Sequence, residues 1–136
     1  MKKAAQLILL LLLTVACEKE DLNIQALNGK WQWVRTDGGF AHHIHDTPAS
    51  TGKNIVFEFT SNGTFREYIN GYLTSEGAYK LENRQCIHDH TNKPVIFFPS
   101  GKEMMIEKTE DGFLYLSDEY FDGLDSQYKK IEDGNE

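Results

Sequence analysis

From residue 27 onward the sequence repeats one pattern, in which short runs of alternating apolar and polar residues end at turns. The segment 54–60 is the clearest run, because Ile55, Phe57 and Phe59 occupy every second position. Side chains two positions apart lie on the same face of a β-strand. The alternation therefore indicates a strand with one buried and one solvated face.

Turn signals separate these runs. Ser61-Asn62-Gly63 predicts a three-residue hairpin turn, and Asn70-Gly71 predicts a type I′ turn. The predicted strands number eight and cover residues 29–35, 54–60, 64–69, 72–81, 94–98, 103–108, 113–117 and 126–132. Within the fourth of them, Gly77 is interpreted as a bulge or a sharp bend. Short strands at this spacing, with no predicted helix, predict an all-β antiparallel barrel or sandwich.

Trp31 and Trp33 open the first predicted strand, and their spacing places both indoles on one face. Gly29 allows the chain to turn into that strand. Each indole can bury roughly 150–250 Å². Two interpretations remain open at this point, a pair of core residues and a platform on which a ligand stacks.

Gly29-Lys30-Trp31 resembles the Gly-x-Trp opening of the lipocalin-like (calycin) barrels. A similarity to the small lipocalin-like lipoproteins of Gram-negative bacteria extends over about residues 27–132. The further matching stretches are Gly38-Gly39, Thr47-Pro48-x-Ser50-Thr51-Gly52, Phe57-Glu58-Phe59, Asn70-Gly71 and Asp122-Gly123…Tyr128-Lys129-Lys130-Ile131. The chain departs from the family at one point, because the last strand offers Lys129 and Lys130 where lipocalins often set an Arg against the Trp.

The resemblance implies a small up-and-down barrel of about eight strands whose interior takes one small apolar or amphipathic ligand. It also implies that the long loop 36–53 covers the open mouth. Inward-pointing residues and one loop residue are then the ligand-binding candidates: Trp31, Trp33, Phe40, Ile55, Phe57, Phe59, Phe65, Glu67 and Tyr79. No cofactor is predicted.

The first 16 residues read as a secretory signal rather than as part of the domain. Lys2 and Lys3 precede an apolar run that is shorter than the about 20 residues needed to span a bilayer. Cys17 follows small residues and resembles the lipidated cysteine of bacterial lipoproteins, although Thr14 stands where Leu is preferred. We therefore expect lipidation at Cys17, a flexible tether over 17–26, the barrel over 27–132 and a short tail over 133–136.

The acidic run Glu18-Lys19-Glu20-Asp21 has two interpretations, a solvated tether and an export signal that carries some lipoproteins to the cell surface. The predicted location is the outer membrane in either case. Without Lys2 and Lys3 the chain carries 12 basic and 21 acidic side chains, a net charge of −9. Such a charge argues against nucleic acid and against anionic headgroups as partners. Contact with the membrane is expected through the lipid anchor alone.

The histidines suggest one further chemistry. Imidazole and thiolate are the usual ligands of Zn²⁺ and Cu, and two loops carry such groups: His43, His45, Cys86, His88 and His90. Their spacing matches no known ligand motif, so no metal site is predicted, and these residues remain secondary candidates.

Three functions are compatible with these patterns. The first is a lipid-anchored barrel that binds a small apolar or amphipathic molecule. The second is a filled barrel that acts as a protein-interaction module at the envelope, and the third is a metal-binding lipoprotein. An enzyme is not predicted, because no serine lies in a Gly-x-Ser-x-Gly elbow and Cys86 lacks a base in a recognisable arrangement.

Overall fold

This computed structural model describes residues 24–118 and 123–132. Ten β-strands make up most of that part of the chain. They are β1 (Gly29–Gly38), β2 (Ile44–Asp46), β3 (Ile55–Phe59), β4 (Thr64–Ile69), β5 (Tyr72–Ala78), β6 (Lys80–Gln85), β7 (Asn92–Phe97), β8 (Glu103–Glu110), β9 (Phe113–Ser117) and β10 (Leu124–Ile131). Two helices of one turn each, α1 (Ile24–Leu27) and α2 (Pro48–Thr51), and a 3₁₀ turn over Phe40–His42 complete it.

All ten strands belong to one antiparallel sheet that curls into a half-barrel. The order from edge to edge is β5-β4-β3-β1-β10-β9-β8-β7-β6, and the short β2 pairs with β1 outside this order. Apart from β2, strands that follow one another in sequence pair with each other, except β5 and β6, which form the two edges of the sheet. The last strand, β10, returns to pair with β1. The predicted all-β antiparallel architecture is therefore confirmed.

The predicted number of eight strands is wrong, for two reasons. The predicted strand 72–81 is divided at Tyr79, because β5 pairs with β4 whereas β6 pairs with β7. The second reason is β2, which lies inside the predicted loop 36–53 and pairs with the end of β1. Helical turns also occur where no helix was predicted. One of them, α2, begins at a capping box in which Thr47 and Ser50 each bond through the side chain to the backbone N–H of the other.

Tight turns connect the strands where glycine was expected to allow them. Asn70 and Gly71 both have positive φ, 52° and 81°, as a type I′ turn requires. Asp111 and Gly112 repeat the arrangement between β8 and β9. The predicted type I′ turn at Asn70-Gly71 is therefore confirmed.

Gly77 does not form the predicted bulge. The register of β4 and β5 shifts at Thr74, which is the extra residue between two regularly paired stretches. Gly77 instead allows a close approach, because a Cβ added there would stand 2.8 Å from Cβ of Pro99 in the β7–β8 turn. The strands β3–β5 form one arm of the half-barrel and β6–β9 form the other, on either side of the central pair β1 and β10. The edge strand β5 of the first arm thus touches the turn that follows β7 in the second.

The concave face of the sheet holds the main core. Its ring contacts include the stacked pair Phe57–Tyr128, with centroids 4.6 Å apart, and the edge-on pair Phe65–Phe98 at 4.9 Å. Trp31 is 1% exposed and donates its indole N–H to the Leu27 carbonyl at 2.8 Å. Every residue of this core lies between 27 and 128, so a chain that begins at Glu18 contains all of it.

Several predictions concern residues outside the described part. The signal over 1–16, the lipidation site Cys17, most of the tether 17–26 and the tail 133–136 all lie there. The last residues of the tether enter α1. Within residues 24–118 and 123–132, no helix has the length and the apolar character needed to cross a membrane.

Candidate functional site

Two adjoining cavities open on the concave side of the half-barrel, directly above the aromatic core. The larger has a volume of about 250 Å³ and the smaller about 90 Å³. They share four lining residues, Phe57, Glu67, Lys102 and Met104. We call the pair the mouth cavity and consider it the candidate site.

Both arms of the half-barrel contribute to the mouth cavity. Phe57 on β3 lies directly opposite Glu67 on β4, so both side chains face the concave side. On the other arm, Lys102 directly precedes β8 and Met104 lies at its start. The smaller cavity lies between the arms, because Ser75 of β5 and Ser100 of the β7–β8 turn both line it.

The floor of the mouth cavity is aromatic. Phe57 stacks on Tyr128 and meets Phe65 edge-on at 5.1 Å. Burial raises the pKa of the Tyr128 hydroxyl, and the nearby Glu67 carboxylate raises it further, while a hydrogen bond with Ser126 opposes the rise. Tyr128 therefore stays neutral in the floor and keeps its hydroxyl proton.

A row of hydrogen bonds forms one wall. The indole N–H of Trp33 donates to Oγ1 of Thr36 at 2.9 Å, and Thr36 shares a hydrogen bond of 2.8 Å with Ser126. Side chains three apart normally face opposite sides of a strand. Here the register of β1 shifts between Trp33 and Arg35, and this bulge brings both Trp33 and Thr36 to the concave face.

The rim of the mouth cavity carries charges of both signs. Glu67 accepts a hydrogen bond from Thr74 at 2.8 Å. Lys53 and Lys102 also line the cavity, and within the described residues no ion pair involves either ammonium group. Asp46 and Asp118 complete the charged lining. The site therefore combines an apolar floor with a rim that offers both acceptors and donors.

The predicted ligand-binding residues separate into three groups. Trp33, Ile55, Phe57 and Glu67 line the larger cavity, and Phe65 lines the smaller one. Trp31, Phe59 and Tyr79 pack in the core instead. Phe40 is 75% exposed and lines neither cavity.

The loop 36–53 reaches the rim through other residues than Phe40. Asp46 at the end of β2, Thr51 at the end of α2 and Lys53 all line the larger cavity. These residues, and also Lys102 and Asp118, could not be predicted from the sequence, because loop positions carry no alternation that indicates the orientation of a side chain.

The histidine and cysteine candidates are dispersed rather than gathered. The His45 ring bonds to Asp37 at 2.9 Å, and the His43 ring bonds to the carbonyl of Phe40. Cys86 is buried on the convex face with Val95 and Met105, in the loop that also carries His88 and His90. Among the described residues, no group of three or more His, Cys, Asp or Glu side chains is arranged to hold a metal ion.

Two larger depressions, of about 630 and 370 Å³, lie outside the mouth cavity, although Lys102 and Asp118 line the larger of them as well. Ion-paired residues line both, with Arg84–Glu103 in the first and Arg35–Asp37 in the second.

Comparison with family models, with curated proteins and with solved structures finds no match for this chain. The functional argument therefore rests on the mouth cavity and on the residues that line it.

Proposed function

We propose that this protein is a lipid-anchored, lipocalin-like protein of the cell envelope that binds one small amphipathic molecule in the mouth cavity. The observation that carries the proposal is the pairing of an aromatic floor with a polar rim on the concave side of the sheet. Ligand sites are typically concave and mostly apolar, with a few polar groups that orient the ligand.

Three features support the lipocalin-like part of the proposal. Trp31 follows Gly29 at the start of β1 and is sealed into the core. The ammonium group of Lys130 lies 5.4 Å from the centre of the Trp31 ring, in the role that an Arg often has in lipocalins. The return of β10 to β1 gives the strand order that an up-and-down barrel requires.

The sequence of the N-terminus supports the anchor and the location. We propose that acylated Cys17 holds the domain at the outer membrane and that residues 18–23 act as a spacer. Labelling cells with radioactive palmitate tests this, because a Cys17→Ser variant should lose the label and leave the membrane fraction. A labelled Cys17→Ser protein would rule out this anchor.

Binding is tested with the chain from Glu18, exported by its own host behind a cleavable signal that lacks a lipidation site. A neutral apolar fluorophore, N-phenyl-1-naphthylamine, should brighten when it enters the cavity. Thr51→Trp places an indole at the rim and should abolish the brightening. Thr109→Trp, at an exposed position of β8 outside both cavities, is the matched control and should leave it unchanged.

Native mass spectrometry of the same preparation should show a bound small molecule. An empty protein that also fails to brighten the fluorophore would refute ligand binding. A fluorophore signal that persists in Thr51→Trp would place the binding elsewhere.

A second candidate function is the protein-interaction module. The observation that favours it is the exposure of Tyr72 (77%) and Leu73 (53%) at the start of the edge strand β5. Unpaired edge strands can accept a strand from a partner. Photo-crosslinking from position 72 in living cells should then capture a partner, whereas the same crosslinker at position 109 should capture none.

A further inference from the structure

The charged groups at the junction of the two cavities suggest which ligand class fits. Glu67 and Lys102 line both cavities and approach from opposite arms of the half-barrel. No ion pair joins them in the described part of the chain. On this basis, and resting on the proposed function, we infer that the ligand is a small zwitterion with an apolar ring, whose ammonium group faces Glu67 and whose anionic group faces Lys102.

Each of the two charges keeps capacity for a ligand. Glu67 accepts a hydrogen bond from Thr74 through Oε1, and its Oε2 atom forms no hydrogen bond within the described residues. The Lys102 backbone N–H contacts Ser100, but the ammonium group forms no hydrogen bond with any described residue. A hydrogen bond between two oppositely charged groups is stronger than one between neutral groups, so each of these two side chains offers a favourable contact to a ligand of opposite charge.

The rest of the rim repeats the mixture of signs. Lys53 adds a second cation, and Asp46 and Asp118 add two further carboxylates. A purely anionic ligand shares the cavity with three carboxylates, and a purely cationic one shares it with two lysines. A zwitterion can place each of its charges opposite one rim charge, and it adds no net charge to this mixed lining.

The size and the floor of the site restrict the apolar part. The volumes of about 250 and 90 Å³ lie near or below the small end of known ligand pockets. Phe57, Phe65 and Phe98 offer ring faces and edges around the smaller cavity. A single flat ring fits these surfaces through edge-on or offset stacking, whereas a two-chain lipid exceeds the space.

Three probes with the same phenyl ring and different charges test the inference. They are phenylalanine (zwitterion), phenethylamine (cation) and 3-phenylpropanoate (anion), each titrated against bound N-phenyl-1-naphthylamine. We expect phenylalanine to displace the fluorophore at a concentration about tenfold or more below that of either single-charge probe, the factor that one added charged hydrogen bond supplies. Displacement by either single-charge probe at the same concentration as phenylalanine would overturn the inference.

Two substitutions assign the charges. Glu67→Gln should weaken phenylalanine and phenethylamine about tenfold and spare 3-phenylpropanoate, and Lys102→Met should weaken phenylalanine and 3-phenylpropanoate and spare phenethylamine. Glu82→Gln and Lys80→Met, on the exposed edge strand β6, are matched controls and should change nothing. Equal effects on all three probes would show a general structural change and would count against the assignment.

The fluorophore separates the two levels of the proposal. If it brightens and Thr51→Trp abolishes the signal, yet phenylalanine does not displace it, the site binds ligands and the zwitterion inference fails. If it never brightens and the host-purified protein is empty, the proposed function and the inference fail together.

Discussion

Gly77 and Pro99 lie in contact across the gap between the two arms of the half-barrel. A Cβ on Gly77 would stand 2.8 Å from Cβ and 3.0 Å from Cγ of Pro99. Real Cβ atoms do not approach other carbons so closely, so a side chain at position 77 would force one of the two segments to shift. The β5 edge therefore approaches the β7–β8 turn as closely as it does because position 77 carries no side chain.

Gly77→Ala should destabilise the protein by about 1–3 kcal/mol, the usual cost of overpacking. Urea unfolding followed by tryptophan fluorescence measures the change. Pro99→Gly removes the atoms that clash, so the double variant should recover part of the loss in a double-mutant cycle. Strictly additive effects would show that the contact does not constrain the arms.

Lys130 should stabilise the protein through the ring of Trp31. Its ammonium group lies 5.4 Å from the ring centre. Lys130→Ala should cost about 0.5–1 kcal/mol, and Lys130→Arg should keep or improve the stability, since guanidinium groups also stack on indoles. Lys129→Ala, an exposed lysine on the other face of β10, is the control. Equal losses in Lys130→Ala and Lys129→Ala would argue against the contact.

Thr36 should be needed for the orientation of Trp33. Thr36→Val keeps the shape but removes the acceptor of the indole N–H and the partner of Ser126. Leaving such groups without a partner costs about 1–3 kcal/mol. Thermal or urea unfolding measures this loss, and Trp33 fluorescence in a Trp31→Phe background should shift. Thr36→Ser retains the hydroxyl and should behave like the original protein; a loss as large as that of Thr36→Val would point to the methyl group instead.

Asp125 should reduce stability at neutral pH. Its pKa is raised, first by partial desolvation of this largely exposed carboxyl group and then by Glu107, Asp118 and Asp37, while His88 lowers it. Asp37 lies directly opposite Asp125 across the β1–β10 pair. A carboxyl group with a raised pKa holds its proton more tightly in the folded chain, so its contribution is fully present below the unfolded pKa of about 3.9 and is lost as the pH rises through the folded pKa.

Asp125→Asn should therefore raise the free energy of unfolding by about 0.2–1 kcal/mol at pH 7, the scale of like charges opposed across two strands. The difference from the unchanged protein should shrink as the pH falls and vanish below about pH 4. Unfolding curves at several pH values measure this, with Glu82→Gln as the control. A gain that persists in acid would show a cause other than charge.

Cys86 should react slowly with thiol reagents, because it is 1% exposed. Asp89 holds its loop closed, since it forms an ion pair with Lys93 at 2.8 Å and accepts hydrogen bonds from Thr91. Lys93 and Thr91 accordingly hold the pKa of Asp89 below its usual range. In the chain from Glu18, Cys86 is the single thiol, and Asp89→Asn should speed its labelling several-fold by easing local opening. Glu110→Gln, at the end of β8, should leave the rate unchanged.

Structural features that depend only on residues adjacent in the sequence could be predicted from it. The alternation around Phe57 and the Asn70-Gly71 turn predicted a strand and a hairpin that the structure contains. The division at Tyr79 was not readable, because β5 and β6 together form one unbroken run of strand-like residues. Only the partners differ, β4 before Tyr79 and β7 after it, and partners are a property of the whole sheet.

The candidate site was partly readable for the same reason. Ile55 follows the alternation, so its concave orientation could be expected. For Glu67 the alternation indicated an inward orientation, but a bulge that turns it outward was an equally open alternative. Lys53 and Lys102 reach the rim from irregular segments, where no periodicity relates sequence position to direction. The bulge in β1 is a further case, since only the pairing with β10 reveals that Thr36 joins Trp33 on the concave face.

The pairing of β1 with β10 also determines the order in which the sheet can be assembled. Lys30 lies opposite Ile131, so the middle of the sheet joins its earliest and latest strands. A ribosome or a secretion channel that delivers the chain from its N-terminus presents β1 long before β10 arrives. Until β10 arrives, the backbone N–H and C=O groups on one side of β1 have no partner strand, although β1 lies in the centre of the finished sheet. Bringing two strands together that are so far apart in the sequence is also slow. We therefore expect folding to be a late event that waits for the last strand, with the incomplete chain most open to chaperones and proteases just before it.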